Sequence, residues 1–103
     1  MVVPAAYVTQ EQLAEAVERA IPSLGPEVVR IRYNMGLDTV GDLALFFRVV
    51  LADWAASRET VLKVSREVER TLLSQIRPYE NWGLFPHFSY RSSSENSPEP
   101  EWN

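Results

Sequence analysis

The stretch Leu45 to Asp53, LFFRVVLAD, constrains this chain more than any other. It is the longest run of β-branched and aromatic residues, the composition that suits a pleated, half-buried strand. Side chains alternate along a strand, so Leu45, Phe47, Val49 and Leu51 share one face while Phe46, Arg48 and Val50 share the other. The first set is a core face. The second mixes apolar groups with an arginine and needs a destination other than the core.

The segments on either side supply partners for such a strand. Upstream, Thr9 with Gln12 reads as a capping box, and Val8 with Leu13 as a hydrophobic staple. Leu13, Ala16, Val17, Ala20 and Ile21 then recur at helical spacing until Pro22, Gly25 and Pro26 end the helix. From Glu27 to Met35 the pattern becomes alternating, with Val29, Ile31, Tyr33 and Met35 set against Arg30, Arg32 and Asn34. The loop Gly36–Asp42, rich in glycine and aspartate, predicts a hairpin between this strand and the central one.

Downstream, Asp53 or Ser57 caps a second amphipathic helix, from about Arg58 to Ile76, which Pro78 stops. A helix of that length between strands suits a crossover, so the third strand, Leu84 to Arg91, is expected to run parallel to its neighbour. Pro86 cannot donate to a ladder and sends that strand to an edge. Residues 92–103 are polar, acidic and proline-containing, and predict a disordered tail with Trp102 as its large apolar residue.

The reading is thus one α+β domain over residues 1–91: a two-layer, ferredoxin-like α-β-β-α-β arrangement with two helices on one face of a three-stranded sheet. With 103 residues there is no room for a second domain. The chain has no cysteine, which removes disulfides, thiolate nucleophiles and cysteine metal sites and suits a reducing compartment. No apolar run approaches the roughly 20 residues that span a bilayer. The N-terminal MVVPAAYV is short, lacks a basic region and is broken by Pro4, so a soluble, cytoplasmic protein with no membrane partner is expected.

Residues 9 to 91, in the order α-β-β-α-β, resemble the cytoplasmic domains of cation diffusion transporters, which pair as dimers. The likeness is one of topology and transfers no residue role. The segments GDLALFFRVVLAD and ENWGLFPHFSYRSSSE are similar to a family of small uncharacterised bacterial α+β proteins. That resemblance implies a bacterial origin and no particular activity.

Function is expected on the sheet face that the helices leave open. The parities place Arg30, Arg32, Phe46, Arg48, Val50, Phe85, His87 and Arg91 there. Arginine and aromatic residues are enriched in protein interfaces, and the same mixture stacks bases and holds phosphates in single-strand binders. The net charge of −4 and the absence of lysine clusters rank a protein partner, or a second copy, above RNA or DNA. Trp102 in the acidic tail is a candidate anchor for such a partner.

Other chemistry has weaker support. Asp38 and Asp42 lack the spacing of a cation loop, and turn preference accounts for them. His87 is the one histidine, too few for zinc, and the pattern gives it no partnered nucleophile. Tyr79 to Phe88 is dense in aromatics, and Trp82 with Phe85 is expected to close the end of the core in preference to forming a recognition pocket. No enzyme, cofactor or metal site is expected.

Overall fold

A computed structural model describes residues 10–95. Val8, Thr9, Trp102 and the rest of the acidic segment after Glu95 lie outside the described residues. The architecture is α+β: a three-stranded sheet in the order β1-β2-β3, with two helices packed on one of its faces.

Helix α1 spans Gln10–Ala20 and buries Leu13, Val17 and Ala20 along the expected stripe. Ile21 was expected on the same stripe but is 46% exposed. The chain tightens there into a 3-10 turn, Ile21–Ser23, around Pro22, and the change of pitch carries Ile21 off the buried face.

Strand β1 spans Val28–Leu37 and pairs antiparallel with β2, Leu43–Leu51. A register shift between Val28 and Arg30 corrects one expected core position. The extra residue is Val29, which is 54% exposed, while Val28 packs against the core in its place. The hairpin loop is shorter than expected because Gly36 and Leu37 belong to β1, opposite Ala44 and Leu43. Asp38 organises the loop. Its Oδ1 accepts the Val40 and Asp42 amides at 3.0 and 2.9 Å, and Gly41 adopts a φ of 85° that suits a residue without Cβ.

On β2 the alternation holds to the end: Leu45, Phe47, Val49 and Leu51 are all at most 1% exposed. Burying each such side chain contributes about 2 kcal/mol. The second helix, α2, covers Val61–Ile76 and begins three residues later than the sequence pattern suggested. Neither Ser57 nor Asp53 caps it. Thr60 holds the N-cap position, and its Oγ1 turns back to Trp54 O and Ala55 O, 3.1 Å from each, and to Ser57 Oγ at 2.7 Å. Asp53 has another role: its Oδ1 accepts Ser94 N at 3.0 Å and Ser93 Oγ at 3.2 Å, anchoring the chain beyond the last strand.

Val68, Leu72 and Ile76 of α2 meet Leu13 and Val17 of α1 over the sheet. Arg77 ends α2 in the left-handed conformation, with φ 51°. Pro78, expected only to stop α2, also starts a short helix α3, Pro78–Trp82, where its missing N–H and fixed φ suit the first turn. Gly83 closes α3 at φ 69° and turns the chain into β3, Phe85–Ser92.

Strand β3 runs parallel to β2 at the edge of the sheet, and its edge position accommodates Pro86. The sheet is therefore mixed. A ferredoxin-like fold starts on a strand, whereas the described chain starts on α1 and inserts α3 before β3, so that order is not matched. Hydrogen bonding also continues past residue 91: Ser92 pairs with Leu51, and Ser93 N donates to Leu51 O at 2.8 Å. Facing the helices from β3, Tyr90 donates its hydroxyl to Glu69 Oε2 at 2.7 Å, with Ser65 O at 3.2 Å, and so ties the edge strand to α2.

Candidate interaction face

The two registers lay out the face opposite the helices row by row. Asn34, Phe46 and His87 form one row; Arg32, Arg48 and Ser89 the next; Arg30, Val50 and Arg91 the third. Toward the hairpin end, Gly36, Ala44 and Phe85 complete the set. All eight strand positions expected on the open face thus lie there together. Neighbouring strands sit about 4.8 Å apart, so each row spans about 10 Å.

Within the first row the rings of Phe46 and His87 stack, with centroids 5.2 Å apart and planes inclined by 22°. His87 Nε2 lies 3.5 Å from Asp38 Oδ2, which brings the hairpin loop over this end of the sheet. Amide hydrogen bonds from Asp42 and then Val40, assisted by His87, hold the Asp38 carboxyl below its usual range. Leu37, Asp38, Thr39, Phe46 and His87 line a shallow depression here. In the second row Arg48 Nη1 donates to Asn34 Oδ1, which orients the guanidinium along the sheet. Among the described residues no ion pair involves Arg32 or Arg48.

Trp82 and Phe85 separate, against expectation. Trp82 packs against the core, whereas Phe85 stands on the open side, 42% exposed, with its ring 5.0 Å from that of Tyr79 in α3. Parity decides this: Leu84 fills the core, so its neighbour must point away. Asn34, Tyr79 and the Asp38–His87 contact are members of the site that sequence reasoning missed. Asn34 was recoverable from its parity with Arg30 and Arg32, while the others needed the loop and α3 to be folded.

Chemically, the face offers cations, stacked rings and amide groups on a rigid platform. His87 has a carboxylate neighbour in Asp38 of the hairpin loop. Among the described residues no group of three or more His, Asp or Glu side chains is placed to hold a metal ion. Nor is any described helix long and apolar enough to cross a membrane.

Comparison with known proteins finds no matching family model, no matching curated protein and no matching solved structure. The functional reading therefore rests on the face itself.

Proposed function

We propose that this protein is a non-catalytic interaction module that binds a second copy of itself or another protein through the open sheet face. One observation carries the reading: Phe46, Val50 and Phe85 stand among Arg30, Arg32, Arg48 and Arg91 on a face that no described helix covers. Buried apolar anchors within a cationic surround are the composition of protein interfaces. A cytoplasmic setting and a place in a dimer or larger complex belong to the same reading.

Phe46→Asp tests it. Phe46 is only partly buried, so the fold is expected to survive a charge there, whereas an interface centred on it is not. The wild type is expected to scatter light as a multiple of its 11.8 kDa chain, or to retain its partner, and the variant as a single chain without one. A wild type that is a lone chain, with no partner lost on substitution, removes the proposal.

A second reading has its own support in the Phe46–His87 stack, which offers a ring platform to a base with Arg32 and Arg48 one row away. Single-stranded RNA or DNA binding of this kind would fall steeply with added salt. The net charge of −4 places it second.

A further inference from the structure

The two edges of the sheet are not alike. On a strand, backbone groups point alternately to one side and the other. Asp38 N donates to Asp42 O at 2.9 Å in the hairpin, so Gly36, Asn34, Arg32 and Arg30 turn their amides and carbonyls toward β2. Ile31, Tyr33, Met35 and Leu37 turn theirs outward, where no described strand lies. Ser93 N donates to Leu51 O, and the same alternation then puts Pro86 among the outward residues of β3, where its missing N–H interrupts any ladder. β1 has no such guard: its 10 residues include neither proline nor lysine. Met35 O accepts Asn34 Nδ2 at 3.4 Å and keeps a second lone pair for an added strand. A long, unguarded edge is a template for pairing with another chain.

The residues along this edge fit a second copy of the same edge. For two antiparallel β1 strands with Tyr33 opposite its own mate, Ile31 faces Met35 and Val29 faces Leu37 on the helix side. On the open side Arg32 faces Asn34, and Arg30 faces Gly36. Every helix-side pair is thus apolar or aromatic, and no arginine meets an arginine. Centring the pairing on Arg32 instead sets that arginine against its own mate, a destabilising arrangement. Centring it on Asn34 shortens the ladder and leaves Val29 unmatched.

The ends of the edge show the same fit. Val29 and Leu37 are large and apolar, yet 54% and 65% exposed. Beside Val29, Ile21, Leu24, Val28 and Ile31 line an apolar groove of about 350 Å³. In this register Leu37 of the second copy enters that groove, and the two-fold axis repeats the contact at the other end.

We propose that two copies of this chain pair antiparallel through the outer edge of β1, centred on Tyr33, joining their three-stranded sheets into one. The two-fold axis stands perpendicular to the sheet. Both helix layers then lie on one side, and the two open faces meet side by side on the other. The pairing does not depend on what the open face binds.

Nuclear magnetic resonance on a mixture of differently labelled chains tests the register. Expected is a close Hα–Hα contact between Arg32 of one copy and Asn34 of the other. The Ile31, Tyr33 and Met35 amides should be protected from exchange in the wild type and unprotected in Leu37→Asp. Leu37→Asp and Val29→Asp alter exposed positions, so the fold is expected to survive, and each should raise the dimer dissociation constant by about tenfold or more. Val29→Glu combined with Leu37→Lys should restore the association that either change alone weakens, because the two positions meet only between copies. Unprotected amides in the wild type, protection without the intermolecular contact, or a wild type that stays a single chain overturns the proposal. Association abolished by Phe46→Asp but indifferent to Leu37→Asp also overturns it and leaves the open-face reading intact. The reverse pattern supports the edge pairing and removes self-association from the open face.

Discussion

His87 stacks on Phe46 across the parallel pairing of β2 and β3, ring centroids 5.2 Å apart. The two residues are far apart in sequence and share a row only because α2 and α3 return the chain beside β2 in one particular register. The same imidazole reaches Asp38 in the β1–β2 loop, so one side chain links all three strands at the hairpin end of the face.

The arginines of the second row should matter to association in proportion to their central place. Arg32→Glu or Arg48→Glu is expected to raise the dissociation constant of the complex by about tenfold or more. Lys63→Glu, on an exposed position of α2 in the helix layer, should leave it unchanged. Sedimentation or light scattering across a concentration series distinguishes the two, and equal effects at all three positions would point away from the sheet face.

Tyr90 should hold the edge strand to α2. Tyr90→Phe removes the hydrogen bond to Glu69 and is expected to lower stability by about 1 kcal/mol in urea unfolding. Partial burial, and then Glu69 beside it, push the phenol well above its ordinary value of 10.0. A raised folded-state pKa gives stability that is complete below pH 10 and is lost as pH rises beyond it. Phenolate absorbance should therefore show a late-titrating step together with alkaline unfolding, and Tyr90→Phe should remove that step.

Acid should loosen the two aspartate-anchored turns. Amide hydrogen bonds from Asp42 to Asp38, and from Ser94 to Asp53, lower both carboxyls below 3.8. A lowered folded-state pKa gives stability that is present above that value and lost as pH falls through the shifted one. Stability measured from pH 6 downward should thus fall below about pH 4. The Asp38→Asn, Asp53→Asn double variant should start less stable and show a flatter acid limb; an unchanged limb would place the acid sensitivity elsewhere.

Most of the elements and their faces follow from local patterns in the chain. Period-two alternation in LFFRVVLAD fixed which side of β2 is buried, helical spacing fixed the buried stripes of Leu13–Val17 and Val68–Leu72–Ile76, and Pro86 assigned β3 to an edge. These are local signals, written within one element. Tertiary structure decided what depends on two elements at once. The bulge that exchanges Val29 for Val28 is a mismatch between two strand lengths, invisible in either strand alone. Asp53 and Ser57 satisfy cap chemistry locally, yet the return of β3 beside β2 gives Asp53 the Ser93–Ser94 turn to hold instead. The Phe46–His87–Asp38 cluster has the same origin: the faces of Phe46 and His87 were legible, but their meeting with each other and with the loop residue Asp38 required the registers of both strand pairs, which the packing of the whole core sets.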